Sequence, residues 1–116
     1  MPKVLIVDDD RTTVKLLQTL LMMDGFEVSM CARGAEALTI AHREVPDIFL
    51  IDHNLSDMSG QEVIQALRAD PQFATAPIVM ASGLNVEAEA KAAGADLFLF
   101  KPLEPNTLGD TLYSLL

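Results

Sequence analysis

The sequence is poor in cysteine and in long apolar runs, and each shortage excludes a class of protein. Cys31 is the single cysteine, so the chain can form neither an internal disulfide nor a cysteine cluster that holds zinc. This usage fits a reducing compartment, and we expect the protein to be cytoplasmic. The apolar run Val4–Val7 stops at three aspartates, so it is too short for a signal peptide or a membrane span.

Basic residues are scarce as well. The 116 residues carry 17 acidic and 8 basic side chains, which gives a formal net charge of −9 at pH 7. Such a surface repels nucleic acid phosphates, so we expect no direct DNA or RNA binding by this segment. Hydrophobic residues make up 50% and charged residues 22%, as in a globular protein. The length predicts one domain, residues 1–116, with one core.

Five short apolar runs alternate with segments of helical periodicity. Continuous apolar runs of this length are typical of strands that are buried on both faces of a parallel sheet. The runs are Val4–Val7, Phe26–Met30, Ile48–Ile51, Ile78–Ala81 and Leu97–Phe100. The alternation predicts an α/β fold, a doubly wound five-stranded parallel sheet with helices on both faces. The flavodoxin-like strand order 2-1-3-4-5 suits such a sheet.

Polar residues mark the ends of several predicted helices. Asp10 can cap the first helix, and Asp24 with Gly25 can end it. Asp70 precedes a proline and should close the third helix, because proline disfavours helical geometry in the residue before it. Gly94 separates the fourth helix from the fifth strand. These signals agree with the strand pattern.

Charged and hydroxyl side chains follow four of the five predicted strands. They are Asp8, Asp9 and Asp10 after the first, Asp52 after the third, Ser82 after the fourth and Lys101 after the fifth. Ligands of doubly wound sheets bind at this edge, near the switch point between strands 1 and 3. Crowded carboxylates need a cation to remain ionised together, and oxygen ligands suit Mg²⁺. Because aspartate can attack phosphorus, and lysine and hydroxyl groups stabilise phosphoryl charge, the set predicts phosphoryl transfer to a carboxylate.

The sequence resembles the receiver domain of bacterial response regulators and hybrid kinases over nearly its whole length. The matching pieces are Val4-Leu5-Ile6-Val7-Asp8-Asp9-Asp10, Pro46-Asp47-Ile48-Phe49-Leu50-Ile51-Asp52, Asp57-Met58-Ser59-Gly60, Ala81-Ser82, Gly94-Ala95-Asp96 and Lys101-Pro102. The resemblance implies a phosphoacceptor signalling switch of a two-component phosphorelay. Its expected phosphodonor is a histidine kinase or a phosphotransfer domain, and its expected target is an effector domain or a downstream protein.

The resemblance also assigns the phosphoacceptor and the metal ligands. Asp52 resembles the phosphoacceptor, which also contacts the metal. Asp9 resembles the direct acidic Mg²⁺ ligand, and Asp8 assists it. Asn54 stands where the family uses a backbone carbonyl to complete the metal site.

A second set of residues resembles the parts that convert phosphorylation into a change of shape. Lys101 resembles the lysine that pairs with the phosphate, and its bond to Pro102 is expected to be cis. Ser82 resembles the hydroxyl that moves to bind a phosphoryl oxygen. Phe98 falls at the aromatic switch position and is expected to rotate inward after Ser82 moves. The surface of the fourth helix, the fifth strand and the fifth helix would then change its affinity for a partner.

The sequence departs from the family pattern in several places. Ser56 replaces the usual proline four residues after Asp52, which predicts a more mobile loop. Leu84, two residues after Ser82, cannot position an attacking water, so we expect a long-lived phosphoryl group. The interval from Ser82 to Lys101 is short, which predicts a clipped fourth helix and an altered output face.

Four other side chains are expected to have structural roles only. His42 lies in the second helical segment and is expected to be exposed, and His53 is expected to line the site without a chemical role. Met22 and Met23 are expected to fill gaps in the core.

Two alternative functions remain open from the sequence. One is a receiver-like interaction module that does not turn over phosphate. The other is an enzyme, a haloacid-dehalogenase-like phosphatase, which also uses an aspartate nucleophile after a strand. Such an enzyme needs a second carboxylate two residues later, where this chain has Asn54. We therefore expect a protein that catalyses only its own phosphorylation and dephosphorylation.

Overall fold

The computed structural model describes all residues, 1–116, and its elements follow the predicted alternation. The strands are β1 Lys3–Val7, β2 Glu27–Cys31, β3 Ile48–Asp52, β4 Ile78–Ser82 and β5 Leu97–Phe100. The helices are α1 Arg11–Met23, α2 Ala37–Glu44, α3 Gly60–Ala69, α4 Glu87–Ala93 and α5 Pro105–Tyr113, with a 3-10 turn at Gly34–Glu36. The second strand begins one residue later than predicted, and α4 is the shortest α-helix, as its clipped sequence indicated.

The five strands form one parallel sheet in the order β2-β1-β3-β4-β5, which confirms the predicted topology. Asp52 of β3 pairs with Ala81 of β4, and Ser82 pairs with Phe100 of β5. Because every strand runs the same way, the carboxyl ends of β1, β3, β4 and β5 lie at one edge of the sheet.

Two apolar layers cover the sheet, one on each face. The side chains of Leu5, Phe49 and Met80 pack with α2, α3 and α4, whereas those of Ile6 and Leu50, one residue away along the strands, pack with α1 and α5. Successive strand residues point to opposite faces, so a strand that is covered on both sides must be apolar throughout. This explains why the runs in the sequence are continuous rather than alternating.

The predicted caps lie where expected. The Asp10 carboxylate accepts hydrogen bonds from the backbone amides at the start of α1, and Asp24 ends that helix. Gly25 and Gly94 take φ values of 92° and 118°, which favour glycine, at the ends of α1 and α4. Asp70 caps the C-terminus of α3.

One expectation about α1 is wrong. Met22 and Met23 are 56% and 78% exposed, so they do not fill gaps in the core. The buried face of α1 is formed by Val14, Leu17 and Leu21, and the helical repeat turns the two methionines outward.

No helix in the structure has both the length and the apolar character that crossing a membrane requires.

Candidate functional site

Three carboxylates meet at the carboxyl ends of β1 and β3. Asp8, Asp9 and Asp52 each offer an oxygen atom, and these atoms all lie within 4.8 Å of one another. Asp8 is buried, Asp52 is half-buried and Asp9 is exposed. The cluster is therefore open to solvent on the side of Asp9 and closed on the side of Asp8.

One ammonium group binds two of these carboxylates. Lys101 Nζ lies 2.8 Å from Asp52 Oδ1 and 3.0 Å from Asp8 Oδ2. The backbone amide of Lys101 donates to the carbonyl oxygen of Ser82, so the end of β5 is tied to the end of β4. The Lys101–Pro102 peptide bond is cis, as predicted. The predicted convergence of strand-end residues is thus present for the three aspartates and the lysine.

The electrostatics of the pair follow from its half-buried position. Burial raises the pKa of Asp52 above its usual range, and the charges of Asp8 and Asp9 add to the rise, although Lys101 opposes it. Burial works against the charged form of Lys101 too, but its hydrogen bonds to Asp52 and Asp8 outweigh this effect, so its pKa is raised. Lys101 therefore stays positively charged, whereas burial and the neighbouring carboxylates destabilise the ionised form of Asp52.

The donor set fits a hard divalent cation. Three carboxylates face a single ammonium group, and an added cation would offset the excess negative charge. Asp8 Oδ1 accepts the backbone amide of Asp10 at 2.9 Å while Oδ2 accepts Lys101, so the protein engages both of its oxygens. Oxygen ligands with solvent access on one side suit Mg²⁺.

The loop after β3 begins with a close backbone approach. The amide of Gly60 donates to the carbonyl of His53 at 2.7 Å, and a Cβ atom at position 60 would lie 2.2 Å from the carbonyl oxygen of Asp52. Asn54 forms a bridge with Ser59, and its predicted role as a carbonyl ligand stays a prediction. His53 Nδ1 is buried without a hydrogen-bond partner.

Ser82 and Phe98 lie on strands beside the acidic cluster. Ser82 is buried, and its Oγ accepts the backbone amide of Leu84 at 3.0 Å. Phe98 is 6% exposed and packs in the core against the α4 side of the sheet. Phe98 therefore already points inward in this structure, whereas the resemblance implied that it would rotate inward only after Ser82 moves. Phe100, 56% exposed, meets Phe98 edge-to-face with ring centroids 5.1 Å apart.

Asp57 makes a contact between two loops that the sequence did not predict. Its Oδ1 and Oδ2 accept the backbone amides of Gly34 and Ala35 at 2.9 and 3.0 Å. The residue stands in a motif that is visible in the sequence. Its partners, however, lie 22 and 23 positions upstream, in a turn that no local pattern connects to it.

Comparisons with known proteins agree with this arrangement. The sequence model of the response regulator receiver domain matches residues 4–113. The chain is 37% identical over 109 residues to the probable transcriptional regulator ycf27 of Guillardia theta, covering 91% of this chain and 42% of that protein. It is 34% identical over 111 residues to the phosphate regulon transcriptional regulatory protein PhoB of Rhizobium meliloti, covering 93% of this chain and 49% of that protein. The chain thus spans less than half of either regulator.

Solved structures show the same likeness over the whole chain. The chemotaxis response regulator CheY4 of Vibrio cholerae superimposes with a TM-score of 0.93 at 36% identity, covering 100% of this chain and 99% of that one. A putative response regulator from Chloroflexus aurantiacus gives a TM-score of 0.93 at 32% identity, covering 99% and 98%. This chain belongs to the response regulator receiver domain family of two-component signalling.

Proposed function

We propose that this chain, residues 1–116, is a phosphoacceptor switch that takes a phosphoryl group on Asp52 in the presence of Mg²⁺. The observation that carries the proposal is the environment of Asp52, with Lys101 Nζ 2.8 Å away and oxygens of Asp8 and Asp9 within 4.8 Å. These observations describe a half-buried carboxylate beside a cation and beside two further carboxylates that could hold a metal ion. Family membership supports the same assignment.

The transfer step uses few groups. An Asp52 oxygen attacks the phosphorus of a phosphohistidine on a histidine kinase or phosphotransfer domain. The phosphorus–nitrogen bond breaks, its electron pair stays on the imidazole, and a phosphorus–oxygen bond to Asp52 forms. Lys101 is placed to pair with a phosphoryl oxygen, since its ammonium already contacts the accepting carboxylate.

A metal ion would be held by the carboxylates of Asp8, Asp9 and Asp52 and by the backbone carbonyl of Asn54. Bound Mg²⁺ supplies neutralisation of the negative charge that collects on the phosphoryl oxygens. Asp9 is the exposed member of the cluster and is placed to reach an ion that enters from solvent.

The output step begins at Ser82. Its hydroxyl holds the amide of Leu84, and turning towards a phosphoryl oxygen would release that amide and the loop before α4. The phosphoryl group carries roughly −1.5 to −2 charges by analogy with hydroxyl phosphoesters, and this replaces the single negative charge of the Asp52 carboxylate. Phosphorylation shifts the loop only as far as the added charge interacts differently with the two loop positions. The surface of α4, β5 and α5 would then gain or lose an effector. Two relatives of this chain are named as transcriptional regulators, which supports an effector that acts in transcription.

Intact mass spectrometry after incubation with acetyl phosphate tests the assignment. We expect a gain of one phosphoryl mass that requires Mg²⁺ and disappears in Asp52→Asn. Asp47→Asn, which changes an exposed carboxylate at the opposite end of β3 from Asp52, is the matched control and should be labelled like the wild type.

The alternative is an interaction module that does not turn over phosphate. It predicts no mass gain in the wild type and no spectral change on titration with beryllofluoride and Mg²⁺. Labelling that persists in Asp52→Asn would place the acceptor on another residue and contradict the proposal.

A further inference from the structure

The loop between β3 and α3, residues 53–59, is fastened at its tip by one side chain. Residues 55–58 form hydrogen bonds to another element only through the Asp57 carboxylate, which accepts the amides of Gly34 and Ala35. These amides open the 3-10 turn that precedes α2. A single carboxylate therefore joins the loop after the phosphoacceptor to the turn after β2.

Packing reinforces the same junction. The side chain of Met58 lies against Gly34 so closely that a Cβ atom there would be 2.5 Å from Met58 Cγ. Leu55, 6% exposed, is part of the hydrophobic core. Ser56 lies between these contacts and is exposed, and it lacks the fixed φ that a proline would supply. Asp57 thus provides the polar restraint in a loop without a proline.

We infer that Asp57 is a positioning residue for the metal and phosphoacceptor site, which it serves by holding the Asn54 backbone and the end of β3 in place. The inference rests on the proposed function, because it assigns Asn54 as a carbonyl ligand. Asp57 is three residues from Asn54 along a loop that is closed by the Asn54–Ser59 bridge. Releasing the tip would let the bridge, and the carbonyl beside it, move away from Asp8, Asp9 and Asp52.

The clamp, that is, the two hydrogen bonds that the Asp57 carboxylate accepts from the amides of Gly34 and Ala35, is strong. A carboxylate that accepts two backbone amides makes charge-assisted hydrogen bonds, which are about twice as strong as neutral ones. The hydrogen bonds from Ala35 and Gly34 hold the pKa of Asp57 below its usual range, so it is ionised at neutral pH. Groups that orient metal ligands from outside the coordination sphere change metal affinity by about 10- to 100-fold when they are removed.

The test compares three variants by Mg²⁺ titration of the backbone amide NMR signals, which needs no phosphodonor. Asp57→Ala removes both acceptors, whereas Asp57→Asn keeps a carbonyl acceptor and loses the charge. Asp47→Ala is the matched control. Asp47 is also an exposed aspartate that accepts a backbone amide, that of Lys3 at a distance of 2.8 Å, and it does not belong to the acidic cluster.

We expect Asp57→Ala to weaken Mg²⁺ binding about 10-fold, the low end of the range for such positions. Asp57→Asn should lose less, and Asp47→Ala should bind Mg²⁺ like the wild type. Amide exchange at Gly34, Ala35 and residues 54–59 should accelerate in Asp57→Ala and stay slow in the control. This pattern should persist in 0.5 M KCl, where a Debye length of about 4–5 Å reduces the general electrostatic effect of removing a charge.

Other patterns would overturn the inference. A folded Asp57→Ala that binds Mg²⁺ with wild-type affinity would show that the clamp does not position the site. Equal losses in Asp57→Ala and Asp47→Ala would assign the effect to net charge. Absence of Mg²⁺ binding in the wild type would instead remove the proposed function and this inference with it, and the unaltered protein alone reveals that case.

Discussion

Asp52 is held between two opposing influences, and their balance determines what its charge does to stability. Lys101 stabilises the carboxylate through a 2.8 Å contact, whereas burial and the nearby Asp8 and Asp9 destabilise it. The net result is a raised pKa, so the folded protein holds the Asp52 proton more tightly than the unfolded chain does. Any process that spreads or neutralises the charge of Asp52 is therefore favoured in the folded protein.

Asp52→Asn should therefore stabilise the protein in the absence of metal. For an acid with a raised folded-state pKa, the folded state binds more protons than the unfolded state, so stability falls as the pH rises from the unfolded value of 3.8 through the folded one. Above that window the wild type carries the full penalty, which the amide removes. Thermal unfolding should show a higher Tm for the variant at pH 7, and the difference should shrink as the pH falls toward 4.

The control for this experiment is Asp47→Asn, which changes an exposed carboxylate that does not belong to the acidic cluster. The Tm of this variant should not exceed that of the wild type at pH 7. A variant Asp52→Asn that unfolds at a lower temperature than the wild type at pH 7 would mean that the contact with Lys101 outweighs burial. The electrostatic description of the site would then be wrong.

The ends of β3 and β4 show that two glycines near the site face different constraints. At Gly60 a Cβ atom would be 2.2 Å from the carbonyl oxygen of Asp52, a backbone atom that cannot move away without displacing Asp52 itself. At Gly83 a Cβ atom would meet nothing within 4 Å, and the residue does not have a positive φ. Only the first position requires glycine.

Substituting alanine at each position tests this contrast. Gly60→Ala should lower the free energy of unfolding by about 1–3 kcal/mol, as overpacking does, and should slow phosphorylation by acetyl phosphate. Gly83→Ala should raise the free energy of unfolding by about 0.4–1 kcal/mol, because it restricts only the unfolded chain. Urea unfolding and the mass-spectrometric labelling rate measure both effects. Equal destabilisation by the two alanines would contradict the assignment.

Elements were predictable from the sequence where their signals are local. The apolar runs mark the strands to within one residue. Asp10 begins α1, and Asp24 and Gly94 end α1 and α4, where their chemistry indicates. The β-α alternation predicted parallel strands with right-handed crossovers, which leave few arrangements, and the observed order 2-1-3-4-5 is one that such a sheet can take. The convergence of the strand-end aspartates with Lys101 followed from that order.

Contacts that join loops and turns far apart in the sequence were not predictable. The guanidinium of Arg68 donates to the carbonyls of Gly94 and Ala76 and to the Asp96 carboxylate, which ties α3 to the turn after α4. Asp57 similarly reaches the turn before α2. Such contacts depend on which loop faces which turn after the helices have packed, and no periodicity along the chain records that.

At the scale of the whole molecule, the acidic site and the net charge of −9 affect the same measurement. A cation can stabilise this protein by binding among Asp8, Asp9 and Asp52, or by screening the general repulsion of an acidic surface. The two effects have different dependences. Specific binding stabilises by RT ln(1 + [L]/Kd), about 2.7 kcal/mol at 100 times Kd, whereas screening depends on ionic strength whatever the cation.

Mg²⁺ should therefore raise the Tm of the wild type more than NaCl of the same ionic strength does. At this chain length about 1 kcal/mol corresponds to roughly 4 °C, so saturating Mg²⁺ should shift Tm by an easily measured amount. Asp9→Asn removes the exposed carboxylate of the cluster and should lose most of the Mg²⁺ increment while keeping the response to NaCl. Asp47→Asn carries the same change of net charge and should keep both responses. Equal increments from MgCl₂ and NaCl in the wild type would reduce the acidic cluster to ordinary surface charge.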